Sequence, residues 1–322
     1  MSEEFTGRAA GEAWDRNEPG ACPVCGAPLP HEASLRGRDR LLGTPGEFEV
    51  RVCASCGTGA TAPAVAEEDL GAYYGRGYGS HVEPSATAYA KLSAALKRAQ
   101  VSALLRRPPF SQALGGAPAQ ALDVGCARGD LAAGLLARGW SVDGVEPSAA
   151  AAALASRRGV RVLGSTLAGA SLSPGAYALV VLRHSLEHLP DPAADMLRVG
   201  DALAPGGRVV ISLPNFSAWQ RKRFAGRWFH LDLPRHRVHF TPRSLRMLVE
   251  NARLSVRAQF TSTSLLGLPA SVQYALLGRC LAPGGIGLRV AAALCCAVYP
   301  LTWMIDRASG ERDTIHLVAD CR

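Results

Sequence analysis

The sequence predicts an α/β protein, a doubly wound and mostly parallel sheet preceded by a small cysteine-bearing module. Three observations carry this. From residue 120 onward, short apolar runs alternate with helical stretches, the rhythm of β-α units. A turn rich in small residues, Gly125-Cys126-Ala127-Arg128-Gly129, stands where the first strand meets the first helix. Before it, Cys22-Pro23-Val24-Cys25-Gly26 and Cys53-Ala54-Ser55-Cys56-Gly57 repeat one knuckle in a segment with little apolar content.

The chain has 322 residues, 48% of them hydrophobic, enough for one full α/β domain with one or two small appendages. Its formal charge of +8 comes almost wholly from arginine, since Lys91, Lys97 and Lys222 are the only lysines. The excess admits a nucleic acid, an acidic lipid or a phosphorylated substrate, but no dense basic run selects among them. Residues 1–19 are polar, with no apolar stretch after a basic start. No signal peptide is visible, so a cytoplasmic location is expected, and the nine cysteines read as metal ligands, core residues or thiols rather than disulfides.

Residues 1–19 form an expected disordered tail, 20–62 a metal-binding module, and 63–110 a helical linker or lid with a helix over 87–106. The core spans 111–263, with strands at 121–124, 141–146, 160–163, 177–182, 208–213 and 255–261. Its helices are expected at 130–138, 149–157 and 192–203. A further one at 241–251 has threonine as its cap and Pro242 in its first turn. An apolar helical insertion fills 264–312, with helices at 265–282 and 286–305, and residues 313–322 return as the last strand, 314–319.

Each knuckle sets two thiolates three residues apart on a tight turn, and the glycine that follows tolerates positive φ. Two such knuckles supply Cys22, Cys25, Cys53 and Cys56 as four soft ligands for one tetrahedral zinc ion. Such a site is closed, leaving no position for water or substrate. Its role is structural, because so small a segment lacks a core of its own. A redox Cys-x-x-Cys is the rival reading, but it needs only one pair.

The glycine-rich turn departs from the dinucleotide fingerprint, with Ala127 and Asp130 at the second and third glycine positions. Asp123 ends the first strand, where an acid suits a cationic ligand better than phosphates. Glu146 ends the second strand, placed to accept the hydroxyls of a ribose.

Taken with Leu186-Glu187-His188-Leu189-Pro190-Asp191-Pro192, Leu203-Ala204-Pro205-Gly206-Gly207 and Leu213-Pro214-Asn215, residues 120–215 resemble the cofactor-binding core of class I S-adenosylmethionine (SAM) dependent methyltransferases. The knuckles, Tyr73-Tyr74-x-x-x-Tyr78 and Asp232-Leu233-Pro234-Arg235-His236 resemble that family's zinc-bearing branch, which is similar to sugar and natural-product C- or O-methyltransferases. The resemblance implies a seven-stranded Rossmann-like sheet, a zinc-ribbon-like N-terminal module and SAM as cofactor. It implies that Asp123, Gly125, Cys126 and Gly129 line the methionine and ribose, that Glu146 binds the ribose hydroxyls, and that Pro147 flanks the adenine. Ser165 or Thr166 stands where the family often has an acid for the adenine amine. Arg183 borders the transferred methyl, and Tyr74 and Tyr78 form a lid or pack locally.

Methyl transfer is an in-line displacement that often requires removal of one proton, a task suited to histidine. His184 is the first candidate for the base, with Glu187 and His188 nearby, four residues spanning one expected helical turn. In quinone-precursor O-methyltransferases with a similar motif an acid replaces His184, and that set can hold a divalent cation. In the loop 214–240, Trp228, Arg235, His236 and His239 mix aromatic and cationic character suited to an anionic or sugar-like acceptor. The expected function is methylation of a small molecule or glycan precursor, such as a nucleotide-linked sugar. The alternatives are an RNA methyltransferase that uses the zinc module as reader, and a non-catalytic SAM-binding adaptor. Nucleic acid is the less favoured partner, because the knuckle region has few aromatics for stacking. The apolar stretch 286–305 is short for a bilayer span, which needs about 20 residues, and is expected to pack or make a peripheral membrane contact.

Overall fold

The computed structural model of the chain describes residues 20–66, 69, 71–74, 98–115, 117–280 and 286–321. The expected tail 1–19, the position of Tyr78 and most of the expected helix 87–106 lie outside the described residues.

The strands are β1 (Leu35–Gly37), β2 (Phe48–Val52), β3 (Gly59–Ala62), β4 (Gln120–Val124), β5 (Ser141–Val145), β6 (Arg161–Gly164), β7 (Tyr177–Arg183), β8 (Leu203–Pro214), β9 (Val238–His239), β10 (Leu254–Ser262) and β11 (Thr314–Cys321). Seven of them form one sheet in the order β10-β11-β8-β7-β4-β5-β6. Pairing is parallel from β8 to β6, and β11 runs antiparallel to both of its neighbours. This is the expected α/β Rossmann-like arrangement. Because β5 and β7 flank β4 on opposite sides, the chain reverses direction across the sheet at β4, and a crevice opens beyond its carboxyl end.

Alternate residues of the central strands feed two cores, one on each face. Val180, Leu182, Val209 and Ile211 belong to one cluster, and Leu179, Val181 and Val210 to the other. Helices α1 (Phe110–Ala113), α2 (Asp130–Leu136) and α3 (Ala149–Ser156) are followed by α4 (Pro192–Ala202), whose Asp191 cap accepts from Ala194 N. After α5 (Trp219–Phe224) comes α6 (Pro242–Asn251), where Thr241 and Ser244 cap each other's backbone as a box, matching the predicted threonine cap. The insertion holds α7 (Gly267–Leu277) and α8 (Ile286–Ser309). No helix among the described residues is long and apolar enough to cross a membrane.

The cysteine module is not a separate body. Its sheet runs β1-β2-β3-β9, so a strand from the 214–240 loop closes it, with Gly59 opposite His239 and Ala60 opposite Val238. Cys22, Val24, Cys53 and Cys56 share an apolar cluster with Phe240, Leu245 and the strands β7 and β8. A three-strand ribbon this small buries too little to stand alone, and docking on the large core supplies the missing surface.

Candidate functional site

Asp123 sits at the tip of β4, opposite Gly144 of β5, and Glu146 follows β5 directly. Both are buried. Burial raises the Asp123 pKa to about 7, with Arg183 pulling it down and Glu146 pushing it up. Burial also raises Glu146, although its carboxylate accepts from Ser148 N and Ala127 N, each at 2.8 Å. Two buried carboxyls at the ends of adjacent strands thus face the crevice, where a cation would stabilise their charged forms.

Gly125 and Gly129 adopt φ of 73° and 78°. A Cβ on Gly125 would lie 2.7 Å from Ser185 Cβ, so the turn is pressed against the segment after β7. Ser185 Oγ there is buried without a hydrogen-bond partner. Cys126 turns its side chain away from the crevice into the core, against Gly144 and Val160. Its backbone N–H still joins the cradle by donating to Val145 O. Pro147 and Ser165 are exposed at the rim, and Thr166 Oγ1 accepts from Gly169 N to close the next turn. A pair of acids, a tight backbone cradle and an unpartnered hydroxyl fit a cationic nucleoside such as SAM.

Across the crevice, β7 ends in Arg183 and His184. His184 has φ of 52°, held by its N–H to Ser212 O, and Leu186–His188 is a single 3-10 turn. The expected α-helical turn through 184–188 is therefore replaced by a left-handed kink, because β8 captures the backbone of residue 184. The kink leaves His184 partly exposed at the carboxyl edge of the sheet, beside the crevice. Its side chain keeps 39% exposure although protein surrounds it on most sides, which is the condition of a group lining a cavity wall. Burial lowers its pKa below 6.5, and Glu187 opposes this.

Glu187 lies beneath, buried, with its Oε1 3.5 Å from His184 Nδ1 and 3.9 Å from His236 Nε2. Burial alone would raise it, but His184, His188 and His236 hold its pKa down at about 2. Neither carboxylate oxygen has a partner within hydrogen-bond geometry. His236 Nδ1 donates to His230 O, leaving Nε2 toward Glu187. Burial brings the His236 pKa down to about 4 and that of His239 to about 3, so both rings are neutral near pH 7. His188 Nδ1 reaches Arg235 O at 3.0 Å and Tyr74 Oη at 2.9 Å. Glu187, His188 and His236 place ligand atoms within 4.8 Å of one another, close enough to share a cation.

The remaining loop residues are spent on structure. Arg235 is fully buried, with contacts of 2.7 Å to Asp39 and 2.6 Å to Asp232 and a further bond to Tyr73 O. Trp228 is buried beside Phe216 and Leu231, and His239 Nε2 meets Thr61 Oγ1 at 2.9 Å. The structure thus brings His184, Glu187, His188, His236 and Tyr74 together and sets Trp228 and Arg235 behind them. Sequence reading missed Ser185, Ser212 and His316. His316 lies on β11 with its ring between Ser212 Oγ and Ser262 Oγ, and burial, with His184 and Arg183 nearby, lowers its pKa to about 4. Only sheet order places β11 beside β8, so no local pattern could have shown it.

The four knuckle sulfurs converge. Cys22 and Cys56 are 3.5 Å apart, as are Cys25 and Cys53, and all four lie within 4.8 Å of one another. A tetrahedral site with metal–sulfur bonds of about 2.3 Å has sulfur–sulfur edges of about 3.8 Å, so the set fits one zinc ion. Gly26 and Gly57, with φ of 73° and 80°, donate to Cys22 O and Cys53 O to close the turns. Burial raises Cys22, whereas at Cys53 the amides of Cys56 and Ser55 and the Cys25 thiol outweigh burial and bring it down to about 7.

A methyltransferase-domain family model matches residues 93–259, more than half of the chain. The ubiquinone biosynthesis O-methyltransferase of Aeromonas salmonicida (strain A449) is 32% identical over 149 residues, covering 42% of this chain and 63% of that protein. The protein of the same name from Marinobacter nauticus is 33% identical over 105 residues, covering 30% and 44%. The chain therefore matches less than two thirds of the length of these curated relatives. Among solved structures, an S-adenosylmethionine dependent methyltransferase from Mesorhizobium loti aligns with a TM-score of 0.46 at 14% identity, over 68% of this chain and 99% of that one.

Proposed function

This chain belongs to the class I SAM-dependent methyltransferases, and from that premise we propose that it methylates a hydroxyl or acidic carbon of a small-molecule acceptor, with His184 as the base. SAM, when bound, supplies an electrophilic methyl group. The observation that carries the reading is the His184–Glu187 pair at the crevice wall, across from the Asp123–Glu146 cradle. Asp123 and Glu146 would hold the amino-acid and ribose ends, and Gly125 and Gly129 let the backbone approach.

Glu187, 3.5 Å from His184 Nδ1, favours the tautomer with the proton on Nδ1, which leaves Nε2 to take the acceptor's proton. It stabilises the imidazolium that results, and because its own pKa is near 2 it remains a carboxylate throughout. Depressed basicity keeps His184 unprotonated near neutral pH. His236, neutral near pH 7, and His188, hydrogen-bonded to Arg235 O, close the floor behind Glu187. Arg235 and Trp228 serve as supports of the acceptor loop. The four cysteines hold a structural zinc ion that anchors β3, and through β9 the same loop. The relatives' name, an O-methyltransferase, supports an oxygen as acceptor, and the zinc-bearing resemblance supports a nucleotide-linked sugar.

Incubating the purified protein with methyl-labelled SAM and fractionated small-molecule extract tests this. Label should enter an RNase-resistant small molecule, and His184→Asn should abolish that while retaining SAM affinity. Label found only in RNA would overturn the acceptor class.

A further inference from the structure

The last turns of α8 are inside out. In residues 301–309 the two buried side chains are the polar Thr302 and Asp306, four apart on one helical face. Asp306 accepts from Trp219 Nε1 at 2.6 Å and Gln220 Nε2 at 3.3 Å, which pins that face to the protein. The rest of the helix circumference presents Leu301, Trp303, Met304 and Ile305 to the outside. α7 buries Leu268, Ser271 and Tyr274 and exposes Val272, Leu276 and Leu277, Leu276 at 78%, with Leu265 exposed just before the helix begins. A helix whose polar groups face inward and whose large apolar groups face outward is not dissolved in water for its own sake.

The charged side chains at the carboxyl end of α7 are basic, and Glu311, just after α8, is paired with Lys222. Arg40 spans the carboxyl end of α7, donating to Gly278 O and Gly226 O, and its charge neighbours are Arg38 and Arg227. Arg279 follows at the end of α7, and Arg307 lies over the Trp303 ring at 5.6 Å. None of Arg38, Arg40, Arg227, Arg279 and Arg307 has a carboxylate partner among the described residues. Asp39, their neighbour in sequence, is buried on Arg235. Residues 264–309 contain three arginines and a single acid, the buried Asp306.

We propose that the outer face of α7 and α8 docks on the surface of an anionic lipid bilayer. The leucines, Trp303 and Met304 enter the interface and the arginines meet lipid phosphates, the pattern of a peripheral amphipathic contact. No described helix is long and apolar enough to cross, so the contact is superficial. A second copy of the chain fits worse, because a two-fold contact through this face would set the arginine cluster against itself. The docking holds whichever small molecule accepts the methyl group.

Flotation of the full chain with vesicles tests it, using phosphatidylcholine alone and phosphatidylcholine with one quarter phosphatidylglycerol. Binding should appear on the anionic vesicles only and fade in high salt. Arg38→Ala and Arg279→Ala should each weaken it by about fivefold, taking about 1 kcal/mol per arginine near the surface. Leu276→Glu with Met304→Glu should weaken it by more than about tenfold, from the apolar burial lost. These sites are exposed, so circular dichroism and SAM affinity should not change. No flotation, flotation indifferent to lipid charge, or a lipid-free dimer in ultracentrifugation that Leu276→Glu dissolves would each overturn the proposal.

Discussion

Replacing Asp123 with asparagine should separate two properties that one carboxyl now couples, the pocket's affinity for a cation and the stability of the empty fold. Burial lifts the Asp123 pKa from 3.8 to about 7, even though Arg183 draws it down. A carboxyl whose folded pKa lies above the unfolded one favours the fold fully below pH 3.8. That contribution is lost as pH rises through about 7. At 1.36 kcal/mol per pH unit, the interval amounts to about 4 kcal/mol at most. Arg183 loses its countercharge in the variant, which takes back part of the gain. The ligand-free Asp123→Asn protein should therefore be more stable than wild type at pH 8 by roughly 1–3 kcal/mol, with the difference shrinking toward pH 4. Urea unfolding at several pH values reads this. Calorimetric titration with SAM should show the opposite sign, with affinity falling more than about a hundredfold for the loss of a buried countercharge. Wild-type affinity should itself weaken by about tenfold per pH unit below 7, where the carboxyl must first release a proton. A variant that binds SAM as well as wild type, or that gains no stability at pH 8, refutes the reasoning.

His184→Asn should lower kcat by about 10²–10⁴ with little change in SAM affinity. Because burial depresses His184, the acid limb of the wild-type rate profile should fall below pH 6.5, and a limb above it would contradict the assignment. Metal analysis of wild-type protein should find close to one zinc per chain and Cys53→Ser close to none. That variant should also unfold earlier in urea, because β3 then holds β9 less firmly; equal zinc in both would refute the site. Arg235→Met leaves Asp39 and Asp232 buried together without their cation and should cost about 3–5 kcal/mol in denaturant unfolding. A loss below about 1 kcal/mol would mean that water reaches the pair.

The cofactor side of the crevice was legible because its determinants are local. A strand, a turn of small residues and a second strand with an acid at its tip are read within 26 residues of chain, from 121 to 146, and hydrophobic periodicity marks each piece. The knuckles were legible for the same reason, since three-residue spacing and a following glycine are properties of one turn. The acceptor side was legible only as residue types. Arg235 and Trp228 carry the composition of a binding loop, yet Arg235 is claimed by Asp39, 196 positions away.

Local sequence therefore determined the α/β core, the crevice at the end of β4 and the two acids that line it, because hydrogen bonding and burial within each β-α unit depend on near neighbours. Tertiary structure alone decided that β8 captures residue 184 and kinks it beside the crevice, and that β9 joins the cysteine module to the acceptor loop. It also decided that α8 turns its polar face inward. Each of these rests on a contact between distant segments, where the same side chain is buried or exposed according to what packs against it.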